Sequence, residues 1–325
     1  MIPPPLAITL GDPAGIGIEV ALKSLQPDVP TVLIGSSQLL DIPTVRRWAE
    51  GIDIVPISQL DRLDTTEFSP GQIAWIDPAP YLTIRPDQEI SESNGKVALA
   101  SIQLAADLAL RHKVRAIVTA PISKRSFQLA GAPALDHTQL FGLLTNTEAT
   151  MGFYSEKMNV VLTTIHSPLS EVPSLITKEL LERTIRRAHQ WLRSLGIKDP
   201  RIAVAGLNPH AGEDGLMGTE EITTIRPVII DLQREFPELS GPYPADTLFW
   251  KADRFDCIIA QYHDQGLSPL KMVAFDTAVN TTLGLPFVRT SPDHGTAFDI
   301  AYQDRANPNS MKAAIQLALR MSDGY

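Results

Sequence analysis

The chain has 325 residues, of which 44% are hydrophobic, and a formal net charge of −9 at pH 7. This length suffices for two globular domains, since one domain usually takes roughly 100 to 200 residues. Nucleic acids and anionic membranes select proteins with a basic face. The negative charge therefore argues against both as main partners, and any anionic ligand must be bound by local cations.

The N-terminal residues and the single cysteine indicate where the protein functions. Residues 1–10 lack the basic segment of a signal peptide, and no later apolar run reaches the roughly 18 residues of a membrane helix. We therefore expect a cytoplasmic protein that crosses no membrane. Cys257 has no second cysteine with which to form an intramolecular disulfide, and it lies in an apolar run. We expect it to be a small buried side chain rather than a nucleophile.

Short apolar runs alternate along the chain with longer segments of helical periodicity. This alternation is typical of parallel βαβ units and predicts the α/β class. The predicted strands are 6–10, 31–34, 73–76, 114–118, 160–165, 202–205 and 257–260, and the clearest predicted helices are 93–112, 175–195 and 219–236.

A glycine-rich turn, GDPAGIG at 11–17, connects the first predicted strand to a helix-like segment at 18–25. Backbone N–H groups in such a turn can bind an anion. Its spacing matches neither a dinucleotide fingerprint nor a Walker motif. Tight packing of the turn is therefore an equally good explanation.

Three histidines follow predicted strands: His166, His210 and His263. Ligands of parallel α/β sheets bind beyond the carboxyl ends of the strands, so these imidazoles are placed to converge there. Three neutral imidazoles suit zinc, cobalt and related ions and leave a coordination position open. The alternative is three unrelated loop histidines, each bonded to backbone.

Cationic and polar residues in the C-terminal quarter suggest an anionic ligand. Arg289 ends an apolar run, and its forked donors match phosphate or carboxylate. Pro269 suits the first position of a helix and so predicts Lys271 near a helix N-terminus. A cation is unfavourable there unless an anion is bound or the pKa of the amine is lowered. A solvated lysine is the alternative.

Five motifs together resemble the 4-hydroxythreonine-4-phosphate dehydrogenase family of vitamin B6 biosynthesis, and the similarity covers nearly the whole chain. The motifs are GDPAGIG at 11–17, TAPISK at 119–124, GPYPADTLF at 241–249, YHDQG at 262–266 and LGLPFVRTSPDHGTA at 283–297.

The resemblance implies an isopropylmalate-dehydrogenase-like fold with two α/β domains and an active-site cleft between them. We expect a discontinuous cofactor-binding domain, 1–125 and 276–325, and a metal-binding, substrate-binding and dimerisation domain, 126–275. The resemblance also implies a homodimer in which both chains contribute to each active site.

The resemblance further implies roles for individual residues. His166, His210 and His263 would bind one divalent ion, Zn, Mg or Co, with one histidine supplied by the partner chain. Lys271 would orient substrate or relay a proton, and Asp246 and Asp264 would align an imidazole or act in acid–base catalysis. The implied substrate contacts are His137, Thr138, Lys271, Asn280 and Arg289, and the implied NAD or NADP contacts are His294, Gly295, Thr296, Ala297 and Asp299.

The implied reaction is metal-dependent oxidation of 4-phosphooxy-L-threonine by NAD or NADP, followed by decarboxylation to 3-amino-2-oxopropyl phosphate. Two departures from the family leave the substrate open: Asp136-His137-Thr138-Gln139 replaces a usual Gly-His-Thr-Glu, and Tyr302 stands where glycine is frequent. A close alternative is a paralogue that oxidises 4-phospho-threonate. A metal-dependent phosphohydrolase and a non-catalytic binding protein are alternatives of other classes.

Overall fold

The chain divides into two α/β units, the second of which is inserted within the first. The computed structural model describes residues 3–57 and 71–323. Of these, unit 1 contains 3–149 and 285–323, and unit 2 contains 150–284. The predicted α/β class is confirmed. The boundaries between the units lie at 149/150 and 284/285, whereas the sequence predicted 125/126 and 275/276. The segment after 126 packs with unit 1, and the strand after 278 pairs within unit 2.

Unit 1 is built on a parallel sheet. Its strands are β1 (Leu6–Thr9), β2 (Thr31–Ile34), β3 (Asp53–Pro56), β4 (Gln72–Ile76), β5 (Ala116–Thr119) and β12 (Val288–Pro292). They are arranged in the order β3-β4-β2-β1-β5-β12, and every pairing is parallel. Buried strands of this kind read as continuous apolar runs, which is why β1, β2 and β5 were recognisable from sequence.

The helices of unit 1 connect and cover these strands. They are α1 (Gly17–Leu22), α2 (Pro43–Trp48), α3 (Glu92–Leu110), α4 (Lys124–Leu129), α5 (His137–Thr145) and α11 (Asn309–Ser322). Ser91 caps α3 by accepting a hydrogen bond from the Asn94 N–H. Such caps satisfy N–H groups that the first helical turn leaves unbonded. The core of unit 1 includes Phe127, Phe141 and Phe287.

Unit 2 contains a mixed sheet. Its strands are β6 (Thr150–Tyr154), β7 (Val160–Leu162), β8 (Ile202–Ala205), β9 (Leu239–Tyr243), β10 (Cys257–Ala260) and β11 (Val279–Leu283), in the order β11-β6-β7-β10-β8-β9. Strand β6 pairs antiparallel with both β7 and β11. The expectation of parallel units throughout is therefore wrong at β6, because only residues 155–159 separate β6 from β7, too short for a crossover helix.

The helices of unit 2 are α6 (Val172–Leu175), α7 (Lys178–Ser194), α8 (Arg226–Leu232), α9 (Ala245–Leu248) and α10 (His263–Ala274). The helix predicted at 219–236 is instead a π-helical turn, Glu221–Ile225, followed by α8. Cys257 is buried, as predicted, and burial raises the pKa of its thiol. None of the helices in the described part of the chain has the length and apolar content needed to cross a bilayer.

Candidate functional site

The three candidate metal histidines of unit 2 follow three neighbouring strands. His166 follows β7, His210 follows β8, and His263 opens α10 directly after β10. Strand β10 lies between β7 and β8 and is parallel to both. All three histidines therefore follow the carboxyl ends of adjacent parallel strands.

His166 and His263 are neighbours at this edge. Their ring centres are 5.6 Å apart and their planes are tilted by 43°. Both line a cavity of about 320 Å³ together with Tyr262, Asp264 and apolar side chains. Oδ1 of Asp264 lies 2.7 Å from Nδ1 of His263. If Nδ1 carries the ring proton, this contact leaves Nε2 as the ring atom with a free lone pair.

His210 is held apart from this pair within one chain. It begins a run of six residues, 210–215, whose φ angles are all positive, with values of 54° at His210 and 42° at Glu213. Its side chain is 62% exposed, and Nδ1 lies 3.9 Å from Oε2 of Glu213. The cavity described above is not lined by His210. Across residues 3–57 and 71–323, no group of three or more His, Cys, Asp or Glu side chains is assembled to hold a metal.

A buried carboxylate fixes the backbone immediately before His210. Glu221 is fully buried, and its Oε1 accepts hydrogen bonds from the backbone N–H groups of Leu207 and Asn208, each at 2.8 Å. Its Oε2 accepts one from Nδ2 of Asn208 at 2.9 Å. Gly212 allows this arrangement, because a Cβ there would lie 2.7 Å from Oε2 of Glu221. Glu221 therefore holds the turn that carries His210.

Side-chain amides and a hydroxyl connect the ends of the three strands. Gln261 donates to Ala205 O at 2.7 Å, and Gln265 donates to Gly206 O at 2.8 Å, which joins the end of β10 to the end of β8. Thr164 donates to Gln261 O at 2.7 Å and so joins the segment after β7. No sequence motif marks these residues or Glu221 as functional. The one available signal was their nearness to the histidines in sequence.

Unit 1 contains a cationic site around Arg289. Arg289 is on β12 and only 2% exposed, and its Nη2 donates to Thr119 Oγ1 at 2.6 Å. The guanidinium carbon is 5.8 Å from the centre of the Phe141 ring. Burial lowers the pKa of Arg289 to about 9, and the Asp136 carboxylate acts in the opposite direction. A buried cation of this kind is stabilised by a bound anion.

His137 and Thr138 lie on the first turn of α5, in the same unit as Arg289. Burial, and next the charge of Arg289, hold the pKa of His137 well below its usual value. His137 is therefore neutral at pH 7. Its Nε2 is buried and has no hydrogen-bond partner among residues 3–57 and 71–323. An unsatisfied buried ring nitrogen beside a buried arginine is typical of a site completed by a ligand.

Asp136, one of the residues that departs from the family pattern, has a local structural role. It is the N-cap of α5, and its Oδ1 accepts a hydrogen bond from the Gln139 N–H at 2.9 Å. The Gln139 side chain in turn accepts from the Leu135 N–H at 3.2 Å. This exchange resembles a capping box, so Asp136 and Gln139 are matched to each other.

The remaining predicted residues occupy different places in unit 2. Lys271 is in the last turn of α10, and Pro269 is inside that helix. The prediction that Lys271 lies near a helix N-terminus is therefore wrong, because α10 already begins at His263. Asn280 is on β11, opposite Phe153 of β6. Asp246 is exposed on the first turn of α9 and does not line the His166–His263 cavity.

The glycine-rich turn packs closely inside unit 1. A Cβ at Gly11 would lie 2.2 Å from Pro121 O, and one at Gly15 would lie 2.9 Å from Thr296 O. Ile16 N–H also donates to Thr296 O at 2.9 Å. These close approaches favour the packing explanation of the glycines. The turn also contacts the 294–299 segment through Thr296. In that segment, Nε2 of His294 is buried and accepts or donates no hydrogen bond within the part of the chain that the structure describes.

The sequence matches the family model for the pyridoxal phosphate biosynthetic protein PdxA over residues 28–318. Among curated relatives, a D-threonate 4-phosphate dehydrogenase from Salmonella typhimurium is 40% identical, with 98% of each chain covered. A 4-hydroxythreonine-4-phosphate dehydrogenase from Desulforapulum autotrophicum is 39% identical, with 97% of this chain and 94% of the relative covered.

Solved structures agree with these relatives. The crystal structure of a 4-hydroxythreonine-4-phosphate dehydrogenase from Klebsiella pneumoniae has a TM-score of 0.84 and 38% identity, and covers 99% of this chain and 98% of that chain. Isocitrate dehydrogenase from Methylococcus capsulatus, at 14% identity and a TM-score of 0.52, covers 98% of this chain and 86% of its own. This more distant likeness concerns the fold alone, and it supports the predicted isopropylmalate-dehydrogenase-like class.

Proposed function

The chain belongs to the PdxA family of pyridoxal phosphate biosynthetic proteins, and from this membership we propose that it is an NAD- or NADP-dependent, divalent-metal-dependent dehydrogenase of 4-phosphooxy-L-threonine. A hydride leaves the substrate alcohol carbon for the nicotinamide, and the alcohol proton is released. The resulting β-keto acid loses carbon dioxide and takes up a proton to give 3-amino-2-oxopropyl phosphate.

The observation that carries this proposal is the pairing of His166 and His263 in one cavity at adjacent strand ends. Imidazoles fit a divalent transition-metal ion such as Zn or Co better than Mg, which prefers oxygen ligands. The Asp264 contact orients the His263 ring toward Nε2 coordination. When bound, the ion would supply a positive charge that stabilises negative charge on the substrate oxygen in both oxidation and decarboxylation.

The Arg289 site fits the phosphate or carboxylate of such a substrate. Arg289 supplies a buried positive charge fixed by Thr119, and neutral His137 supplies a ring nitrogen that no described residue hydrogen-bonds. With Thr138 they would hold the substrate by hydrogen bonds. We assign to Lys271 and Asn280 the orientation of the reacting end, with Lys271 also moving the alcohol proton. We assign to Asp264 the orientation of His263, and no role to the exposed Asp246.

The 294–299 segment fits a nucleotide. Among the described residues, Nε2 of His294 is buried without a hydrogen-bond partner and a Cβ at Gly295 would meet nothing within 4 Å. A ligand can therefore approach the backbone there. We assign nucleotide contacts to His294, Gly295, Thr296, Ala297 and Asp299.

We further propose that the enzyme is a homodimer in which His210 of one chain completes the metal site of the other. The segments that carry His210 and Lys271 expose several large apolar side chains, which is typical of a surface covered by a partner. These side chains are Leu216 at 84% exposure, Met217 at 49%, Met272 at 86% and Phe275 at 71%.

The test of activity measures nucleotide reduction with 4-phosphooxy-L-threonine in the presence of a divalent metal. His210→Asn should lower turnover at least about 100-fold, since it removes one proposed metal ligand. Asparagine tolerates the left-handed backbone of this position, so the turn should survive. The matched control His112→Asn, at another left-handed histidine, should retain full turnover. Phosphate release without nucleotide reduction would instead indicate a phosphohydrolase.

Mixing inactive variants tests whether two chains share the site. If His166 and His263 come from one chain and His210 from its partner, a mixture of His210→Asn and His263→Asn subunits forms hybrids with one intact site. Random exchange should restore about a quarter of wild-type activity. If all three ligands came from the same chain, no activity would return.

A second candidate substrate is 4-phospho-threonate, because the Salmonella relative named for D-threonate 4-phosphate is as similar as those named for 4-hydroxythreonine-4-phosphate. The two acids differ in an ammonium group that the threonate lacks. Comparing kcat/KM for the two substrates separates the candidates.

A further inference from the structure

The loop that follows the proposed nucleotide-binding residues has a strained backbone. Ala297, Tyr302 and Asp304 have φ angles of 44°, 63° and 61°. Residues other than glycine rarely adopt this left-handed region and keep it only where surrounding contacts impose it. A glycine at position 302 would adopt the same angle without strain.

Tyr302 has two contacts that impose this conformation. Its hydroxyl donates a hydrogen bond to Pro13 O, in the glycine-rich turn. Its ring stacks on Trp48, with ring centres 6.5 Å apart and planes within 8° of parallel. Burial raises the pKa of Tyr302, so the hydroxyl keeps the proton that this hydrogen bond needs.

Asp304 is held by a second set of contacts that also reaches Trp48. Oδ1 of Asp304 accepts hydrogen bonds from Nζ of Lys23 at 2.7 Å and from Nε1 of Trp48 at 2.9 Å. Lys23 also contacts the buried Glu19 at 2.8 Å, and Glu19 accepts a hydrogen bond from the Ala306 N–H at 2.8 Å. The chain is therefore fixed on both sides of the turn at 302–304.

The beginning of the same segment is fixed independently, because Ile16 N–H donates to Thr296 O at 2.9 Å. Residues 297–301 thus lie between two attachments. One is the backbone bond at Thr296, and the other is the set of contacts of Tyr302 and Asp304. The second attachment uses side chains that a glycine at 302 would not provide.

We infer that Trp48, Tyr302 and Asp304 form a latch that holds the 294–301 segment in its nucleotide-binding conformation before the nucleotide binds. Tyr302 is then a positioning residue for NAD or NADP. Binding to a preformed site avoids the entropy cost of ordering a loop, so the latch should act on nucleotide affinity rather than on the chemical step. This inference rests on the proposed assignment of the segment to the nucleotide.

The test compares Tyr302→Gly with wild type in the full-length protein. Glycine keeps the backbone angle but removes the stacking and the hydroxyl, so the loop should become more mobile. We expect the dissociation constant for NAD, and its KM, to rise roughly five- to tenfold, because ordering the loop then opposes binding. The KM for the phosphorylated substrate and kcat should change less than about twofold.

Two further variants separate positioning from general destabilisation. Tyr302→Phe keeps the ring and loses the bond to Pro13, so its NAD affinity should fall between wild type and Tyr302→Gly. His112→Gly, at another left-handed position of unit 1, should leave NAD affinity unchanged. Amide hydrogen exchange without nucleotide should be faster over 297–304 in Tyr302→Gly, and NAD should slow it.

If Tyr302→Gly bound NAD as tightly as the wild-type protein does, the inferred latch would be wrong and the proposed function would be unaffected. Unchanged exchange over 297–304 would do the same. If the wild-type protein neither bound nor reduced NAD or NADP, the proposed function itself would fail. Direct nucleotide binding to the wild-type protein therefore distinguishes the two failures.

Discussion

Arg289 shows how a single buried residue can serve binding at a cost to stability. Its charge is only 2% exposed and has lost most of its hydration. Replacing a buried charge with an apolar side chain of similar size is frequently neutral or stabilising. The presence of arginine on β12 is therefore explained by the anion that we propose it binds, and not by the stability of the strand.

We predict that Arg289→Met folds and that its unfolding free energy is at most about 2 kcal/mol below that of wild type. The KM for the phosphorylated substrate should rise about 100-fold, since charge-assisted hydrogen bonds contribute up to about 3 kcal/mol. Urea denaturation and steady-state kinetics measure the two effects. An unchanged KM would remove Arg289 from the proposed substrate site.

His137 predicts a pH dependence of stability. Its pKa is lowered in the folded protein, so between that pKa and the ordinary value of 6.5 the unfolded chain binds more protons than the folded one. Stability is therefore lost as the pH falls below about 6.5, by at most about 1.4 kcal/mol per pH unit for this group. In urea titrations from pH 7.5 to 5, His137→Gln should lose less stability than wild type. Parallel curves would contradict the assignment.

Asp136 caps α5 and also places a negative charge near His137 and Arg289. One substitution separates the capping role from the effect of the charge. Glycine at an N-cap costs only a few tenths of a kcal/mol relative to aspartate. Asp136→Gly should therefore leave stability nearly unchanged. Because it removes a negative charge, it should raise kcat/KM for 4-phospho-threonate relative to 4-phosphooxy-L-threonine, which carries an ammonium group. An unchanged ratio would confine Asp136 to capping.

At the scale of elements, the turn that carries His210 depends on Glu221. Glu221→Ala would leave the N–H groups of Leu207 and Asn208 without their acceptor, which should lower the unfolding free energy by about 2 to 5 kcal/mol. Glu220→Gln is the matched control, because Glu220 accepts one side-chain bond from Asn208 and none from these backbone groups. Denaturation measures both variants, and equal losses would contradict the role of Glu221.

Several elements followed from the sequence because burial gives them a simple pattern. Strands β2, β8 and β10 have the predicted limits, since both faces are covered and every residue is apolar or small. Strands β9 and β12 were missed because their sequences, LSGPY and VRTSP, contain the residues that usually mark turns or polar loops. Their pairing depends on tertiary contacts that local propensity does not contain.

The candidate metal site, like the set of strands, could be predicted from sequence only in part. The position of each histidine after a strand could be read from sequence. The closeness of His166 to His263, and the separation of His210 from them within a chain, could not. His210 begins a left-handed turn that contains non-glycine residues such as Glu213, a conformation that no local signal predicts.

At the scale of the whole molecule, the proposed dimer can be tested at its exposed apolar surface. The double variant Met272→Glu and Phe275→Glu should sediment as a monomer and lose at least about tenfold in activity, since charges are poorly tolerated in interface cores. Tyr81→Glu, which changes an 82% exposed residue of unit 1, is the control and should remain dimeric and active. A dimeric, active double variant would place the interface elsewhere.

The insertion of unit 2 within unit 1 has a consequence for synthesis on the ribosome. Residues 150–284 emerge as one uninterrupted stretch, whereas the sheet of unit 1 lacks β12 until the chain has passed residue 292. Until then β5 has an unpaired edge, and such edges are prone to aggregation. We therefore expect nascent chains released before residue 288 to contain protease-resistant unit 2 and to bind chaperones through unit 1.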